Sequence, residues 1–309
     1  KNSQMSGHIK WFGEPLKGGT VAIGIFDGVH LGHQEILNIA NEFGDPVTVL
    51  TFDPHPTSVF APDRTPTKLL TLDDRAHQLM LHGAEAVAVI SFDAEFAALS
   101  PEQFIESILI KELDAKNIVV GANFTFGAKA AGDVNYLRSV SEKYGFTVTG
   151  VELVEHEHGI VSSTRIRKHL LNGGVEIARE LLTRPHQLIG PVIHGEARGR
   201  EIGYPTANIE VATNSTIPSD GVYAGWLTVG LNRWPAAISI GTNPTFAGVR
   251  GRQVEAYALD RDDLDLYDQE AIIEFGWRLR DTLKFDGLDP LLIQMKKDCD
   301  KARDLTSLR

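Results

Sequence analysis

Gly24-Ile25-Phe26-Asp27-Gly28-Val29-His30-Leu31-Gly32-His33, entered from the apolar run Val21-Ala22-Ile23, decides how the first half of this chain folds. An apolar run, a glycine-bearing turn and then the periodic set Ile36, Leu37, Ile39, Ala40 and Phe43 read as a buried strand, a tight turn and an amphipathic helix starting near Gly32. His30 and His33 stand three residues apart where strand gives way to helix. A helix N-terminus offers N–H groups and a partial positive charge, so it attracts phosphate. Two imidazoles there can donate to phosphate oxygens without the repulsion a carboxylate would bring. The plainer alternative is an ordinary strand-turn-helix with two solvated histidines. A metal site is the weaker functional reading, because no clear third ligand accompanies the pair.

Working outward, strand patterns fall at 20–26, 46–52, 86–92, 117–121 and 147–151, with helical patterns at 34–43, 75–82, 101–110 and 134–144. The strands are near-continuous apolar runs, as expected of a parallel sheet covered on both faces. The first half is therefore expected to be a doubly wound, Rossmann-like α/β domain. Its ligands belong at the carboxyl ends of the strands, in the loops 27–32, 53–58 and 122–127. Two further helices, one from the Ser162-Ser163-Thr164 cluster and one at about 175–182, close this half before Arg184-Pro185. The domains are expected at 1–185 and 186–309. Beyond 186 short β runs recur at 188–194, 221–229, 236–241, 254–259 and 271–275, which fits a small antiparallel barrel or sandwich. A helical tail follows from 288 to about 302, with Leu291, Leu292 and Met295 on one face.

The chain has 309 residues, of which 42% are hydrophobic and 23% charged, the balance of a soluble two-domain protein. A net charge of −11 argues against a general partner such as nucleic acid or a membrane surface, though not against small phosphates. A single cysteine, Cys299, excludes an internal disulfide and fits a reducing, cytoplasmic compartment. No apolar run approaches the ~18 residues of a membrane span, and no signal peptide is visible.

Several other clusters carry chemistry. Asp53-Pro54-His55-Pro56 closes the second strand as a rigid turn or a ligand-facing loop. Gly121-Ala122-Asn123-Phe124-Thr125-Phe126-Gly127 offers an amide and two aromatics, which read equally as a ring-stacking platform or as core. Ser162-Ser163-Thr164-Arg165-Ile166-Arg167 sets hydroxyls at a helix start before two arginines, which favours a phosphate clamp over plain capping. The run 195–203 holds Gly195, Arg198, Gly199 and Gly203 and suits a mobile loop over phosphates, without the Lys of a Walker A loop. Thr206 and Asn208 alternate, so on a strand they point the same way, and their oxygens suit Mg²⁺. Glu255, inside the apolar run 254–259, is either on the solvent face or functional.

Six of these motifs, in order, resemble the bacterial bifunctional riboflavin kinase/FMN adenylyltransferase (FAD synthetase) family: Gly28-Val29-His30-Leu31-Gly32-His33, Phe52-Asp53-Pro54-His55-Pro56, the 121–127 and 162–167 runs, Gly203-Tyr204-Pro205-Thr206-Ala207-Asn208 and Gly241-Thr242-Asn243-Pro244-Thr245-Phe246. The departures are mild, with Tyr204 in place of the usual Phe and Ile25 where Asn or Val is common. The resemblance implies a nucleotidyltransferase domain followed by a six-stranded flavokinase barrel. It implies phosphorylation of riboflavin to FMN with ATP and Mg²⁺ in the second, then adenylylation of FMN to FAD in the first. By the same resemblance, His30 and His33 handle the transferring phosphate, and Gly24, Phe26, Gly32, Ser163, Thr164 and Arg165 hold ATP. Asn123, His55, Phe124 and Phe126 face FMN. Gly195, Arg198, Gly199, Gly203, Thr206 and Asn208 hold the second ATP and its metal, and Glu255 is the kinase base. The expected partners are the small molecules riboflavin, FMN and ATP, with no nucleic acid, no membrane and at most a weak homo-oligomer. A rival reading adenylylates another phosphate, such as a nicotinamide mononucleotide. The other is a flavin-binding regulator with no activity.

Overall fold

The computed structural model describes residues 5–195, 198–244 and 250–308. They form two compact units, Lys1–Pro66 with Leu70–Ser162, and Thr67–Leu69 with Ser163–Arg309.

The first unit is built on the strands β1 (Ile9–Phe12), β2 (Thr20–Ile23), β3 (Val47–Asp53), β4 (Ala86–Ser91) and β5 (Asn117–Gly121). After the two-residue strands β6 (Thr125–Phe126) and β7 (Gly132–Asp133) comes β8 (Thr147–Val151). The sheet order is β1-β4-β3-β2-β5-β8. All pairs are parallel except β1 on β4, an antiparallel edge that the sequence pattern did not reveal. The helices are α1 (Leu31–Glu42), α2 (Thr57–Phe60), α3 (Leu72–Leu81), α4 (Ala94–Ala97), α5 (Pro101–Phe104) and α6 (Val134–Tyr144). The stretch Ile105–Glu112 continues α5 in π-helical geometry.

The parallel strands read as unbroken apolar runs because both faces are buried. Val21, Ile23, Leu50, Ile90, Ile118 and Val120 pack on one side with Ile105, Ile108, Leu109 and Leu137. The residues between them, Ala22, Val49, Val89 and Val119, pack on the other with Leu37 of α1 and Leu79 of α3. This is the period-two geometry of a strand with a helix layer on each face. Fully burying a side chain such as Leu37 or Leu79 contributes roughly 1.5–3 kcal/mol, which is what docks α1 and α3.

The second unit begins with α7 (Ser163–Leu171) and α8 (Val175–Leu182). Then come β9 (His186–Ile193), α9 (Arg198–Glu201), β10 (Ala207–Ile209), β11 (Gly221–Val229), β12 (Asn232–Pro244), β13 (Arg250–Ala258), β14 (Glu270–Arg280) and α10 (Leu288–Thr306). The six strands close into an antiparallel barrel in the order β10-β13-β12-β11-β14-β9. Closure leaves no open sheet edge. Tyr223, Ile238, Val254, Ile273 and Phe275 are buried in it. Cys299 and Ala302 of α10 pack with Ala224 and Leu259. The Arg280 guanidinium holds the Asp298 carboxylate at 2.8 Å, fixing that helix to β14. Burial pushes the Cys299 thiol up to about 11, so it is a packing residue and not a reactive one.

The sequence division at 185/186 differs from the structural one at 162/163 over α7 and α8. These helices join the barrel unit because Ser219 N–H donates to the Leu170 carbonyl of α7 at 3.1 Å, and on α8 Glu176 accepts from Arg278 N–H at 2.6 Å and Arg179 lies 4.5 Å over Trp277. Their amphipathic pattern alone could serve either unit.

Candidate active sites

In the first unit the chain runs from β2 to β3 and β4 on one side, and returns to place β5 on the other side of β2. That is a topological switch point, where loops at the carboxyl ends part to leave a crevice. The loops leaving β2 and β5 carry His30 and His33, and Asn123. The loop after β2 is tightly wound: Phe26, Gly28 and Val29 have φ of 57°, 89° and 44°. For a β-branched residue such as Val29 this is a strained conformation, held only because the surroundings fix it.

His30 then caps α1. Its Nδ1 accepts from the N–H groups of Gly32 (3.0 Å) and His33 (3.4 Å), while its own N–H donates to His33 Nδ1 at 3.3 Å. This is a capping box made from two histidines. With both Nδ1 atoms accepting, each neutral ring carries its proton on Nε2. The rings stack with centroids 3.5 Å apart and 18° between planes, and Phe26 meets His33 edge-on at 5.2 Å. Gly32 makes room for this arrangement, since a Cβ there would lie 3.0 Å from His30 Cε1. The Val161 carbonyl lies 3.7 Å from that same point. Ser163, Thr164 and Arg165 themselves form the first turn of α7 and belong to the second unit.

Around this loop, His55 Nδ1 accepts from Thr57 N–H at 3.1 Å. Asn123 is exposed after β5, with its Oδ1 turned back toward Gly121. Phe126 is buried in the core against Phe104, and the half-buried Phe124 stacks on it at 5.6 Å.

The second site stands on strands. Asn208 of β10 pairs with Glu255 of β13, which in turn pairs with Ser239 of β12. Thr206 Oγ1 lies 3.4 Å from Glu255 Oε2. Asn208 is buried, and a Cβ on Gly195 would lie 2.7 Å from its Nδ2, so that glycine lets the backbone at 195 pass close to the amide. Gly199 likewise permits close approach to the Tyr204 carbonyl, and Tyr204 N–H donates to Gly199 O at 2.7 Å. A cavity beside Thr206 is lined by Val192, Arg200, Ala256, Arg261 and Tyr267. Tyr267 is stacked on His194 at 3.9 Å. The predicted loop is thus only partly in view: Glu196 and Ala197, the Arg198 side chain, and Thr245 and Phe246 of the later motif lie outside the described residues.

A family model described as FAD synthetase matches residues 14–165, and one described as riboflavin kinase matches residues 182–306. The chain is 36% identical over 299 residues to the bifunctional riboflavin kinase/FMN adenylyltransferase of Escherichia coli K12, covering 95% of each. It is 38% identical over 298 residues to the Bacillus subtilis protein of the same name, covering 94% of this chain and 93% of that one. The chain belongs to the bifunctional riboflavin kinase/FMN adenylyltransferase family. A solved structure of a Streptococcus pneumoniae protein described as a macrolide-efflux protein is similar throughout, with a TM-score of 0.86, 35% identity and coverage of 94% and 95%. Among the described residues, no helix of this chain is long and apolar enough to cross a membrane.

In this family frame the FAD synthetase match covers the histidine pair and ends within the first turn of α7. The riboflavin kinase match covers the whole barrel and all of α10. The structure adds residues that sequence reasoning missed. Arg200 on α9 and Tyr267 on a turn line the cavity beside Thr206, and His194 at a strand end stacks on Tyr267, with no spacing to connect them. Arg75, where the helical pattern 75–82 begins, carries no functional signal in the sequence. It is buried, and it bonds the Ile25 carbonyl at 2.7 Å and the Phe52 carbonyl at 3.2 Å.

Proposed function

We propose that this chain makes FAD from riboflavin in two ATP-dependent steps, phosphorylation in the barrel unit and adenylylation in the α/β unit. The observation that carries this reading is the contrast in acid–base equipment. The barrel site presents a carboxylate, Glu255, against the Thr206 hydroxyl at 3.4 Å. The α/β site presents two stacked imidazoles whose Nδ1 atoms are engaged in capping α1.

The two substrates need this difference. Riboflavin offers an alcohol, and removing its proton during transfer contributes roughly 10²–10⁴ in rate. Glu255 accepts that proton as the hydroxyl oxygen attacks the γ-phosphorus and ADP leaves. FMN offers a phosphate monoester, whose second pKa near 6 leaves it ionised at neutral pH. Its oxygen attacks the α-phosphorus of ATP and pyrophosphate departs, with no base required. His30 and His33 stabilise the charge that builds on the transferring and leaving groups through Nε2–H donors. Gly24, Phe26 and Gly32 hold the ATP phosphates. Asn123 orients the FMN phosphate, with His55 and Phe124 beside the flavin and Phe126 backing Phe124 from the core.

The donors at the kinase site are all oxygens, from Thr206, the Asn208 amide and Glu255, which is the set a hard cation prefers. Thr206 and Asn208 would hold Mg²⁺. When bound it neutralises phosphate charge. Gly195, Arg198, Gly199 and Gly203 belong to the loop that covers the nucleotide, and Arg200 and Tyr267 line the cavity it closes. The reactions run in the cytoplasm, in keeping with one buried thiol.

The test is incubation of the full chain with riboflavin, ATP and Mg²⁺ and separation of the flavins by chromatography. FMN followed by FAD is the expected result. FMN alone, FAD only from added FMN, or neither, each removes one or both steps. Chelation of the metal is expected to arrest riboflavin phosphorylation.

A further inference from the structure

Arg75 is an expensive residue for a helix that docks on a sheet. A buried cation costs several kcal/mol unless it is paired and fully hydrogen-bonded, and an apolar side chain of similar volume would fill the space more cheaply. Its guanidinium is satisfied in a particular way. One nitrogen, Nη1, donates to Ile25 O (2.7 Å), to Thr51 Oγ1 (3.2 Å) and to Phe52 O (3.2 Å). The other, Nη2, lies 3.5 Å from Asp53 Oδ1. Ile25 lies just beyond β2, in the loop that leads to the histidines. Phe52 and Asp53 end β3 and begin the Asp53-Pro54-His55-Pro56 loop. The fork therefore ties together the exits of two adjacent strands, at the edge of the sheet where the crevice opens.

The surroundings add a charge argument. Asp27 is buried within the histidine loop and accepts from Leu70 N–H at 3.2 Å. Burial lowers the Arg75 pKa from its ordinary value, while Asp27 and then Asp53 act to raise it. Asp53 thus stands 3.5 Å from Arg75 and Asp27 is buried in the histidine loop, in a site that must admit a triphosphate and a phosphate monoester, and both carboxylates act on Arg75.

We propose that Arg75 is the positioning residue of the adenylyl-transfer site, locking the β2 and β3 exit loops in register and neutralising Asp27 and Asp53 so that phosphates can enter. The inference rests on the adenylyl-transfer reading of the first unit. A purely structural role is the weaker account, because Ile25 O also accepts from Thr51 Oγ1 at 2.8 Å and keeps a partner when Arg75 is removed.

The two contributions separate on substitution. Arg75→Met removes both fork and charge. Arg75→Lys keeps a cation facing the carboxylates but loses the planar fork. The full chain is assayed for FAD formation from FMN and Mg-ATP, and for riboflavin phosphorylation in the same sample. FMN titration counts competent sites, so that kcat refers only to folded ones. Native protein that forms no FAD overturns the adenylyl-transfer reading itself, before Arg75 comes into question. With native FAD formation established, Arg75→Met is expected to lose about 100-fold in kcat per competent site, the order that a displacement of about 1 Å can cost. Its KM for FMN rises several-fold, while riboflavin phosphorylation stays within about twofold of native. Arg75→Lys is expected to restore that KM and to leave kcat down by about tenfold. The proposal is overturned if Arg75→Met keeps native kcat and KM per competent site, or if its whole loss is a loss of competent sites. Should Arg75→Met bind no FMN at all, Arg75→Lys decides: native KM with reduced kcat supports positioning, and native values of both overturn it.

Discussion

His30 and His33 are held by each other and by the strained turn before them, whereas Thr206, Asn208 and Glu255 are held by strand register. In the first case the side chains that would handle phosphate also cap the helix, so position and local stability are one set of hydrogen bonds. In the second the backbone ladder does the positioning and the side chains are spared for chemistry. A loop site of the first kind is exposed to any change that shifts a ring or a strand exit. A strand site of the second kind tolerates conservative change around it and fails when a functional group is exchanged. The two units of this chain permit a direct comparison, since each activity is the internal control for the other.

The largest effect is expected where chemistry alone is changed. Glu255→Gln keeps the volume, the β13 pairing and a partner for Thr206, but cannot take a proton. Riboflavin phosphorylation should fall by roughly 10²–10⁴, the usual contribution of a general base. FAD formation from supplied FMN should be unaffected. Steady-state rates for both reactions on one preparation test this. An equal loss in both would mean that the barrel site is not an independent centre, and the comparison would break.

A smaller but mixed effect is expected from His30→Ala. It deletes the acceptor for two N–H groups at the start of α1, a cap worth about 1 kcal/mol. It also removes one of the two proposed phosphate donors, which by analogy with a lost oxyanion donor costs about 10²–10³ in kcat. The expected signature is a modest fall in the unfolding midpoint together with a large fall in adenylylation, with kinase activity retained. Rate loss without destabilisation would separate the two roles that the geometry joins, and sharpen the contrast with the strand site.

The same contrast explains what the sequence could tell. The runs 117–121 and 221–229 coincide with their strands because a doubly buried strand, or one alternating into a barrel, writes its burial directly into apolar pattern. The four-residue edge strand Ile9–Phe12 is too short for such a pattern, and the π geometry of Ile105–Glu112 changes the hydrogen-bond register without changing which residues are apolar. Thr206, Asn208 and Glu255 were legible as candidates because alternation on strands predicts side-chain direction. The histidines were legible as a pair but not as a capping box, whose usual signature is Ser or Thr followed by Glu or Gln. Arg75 was invisible because an arginine on a short amphipathic helix reads as solvated, and only the folded sheet brings two strand exits to it. The Tyr267–His194 stack was invisible for the related reason that its partners are 73 residues apart, in segments with no shared period.

The smallest of these effects, and the most diagnostic, concerns Gly32. Its φ lies outside the left-handed region, so the backbone there accepts an L-residue. Alanine is the better helix former by up to about 1 kcal/mol. Gly32→Ala should therefore change the unfolding midpoint little, the helix gain offsetting what the displaced cap loses. Its new Cβ, however, would lie 3.0 Å from His30 Cε1 and 3.2 Å from His30 Nδ1. The ring must yield by a few tenths of an ångström, and it is stacked on His33 with little room to do so. Adenylylation should fall by about tenfold, less than the 10²-fold that a displacement of about 1 Å can cost. Kinase activity should not move. One activity lost at unchanged stability is a result that no loss of folding produces. If FAD formation from FMN is undiminished in the Gly32→Ala protein, the imidazole has slack, and the precise seating that distinguishes the loop site from the strand site is not what its chemistry needs.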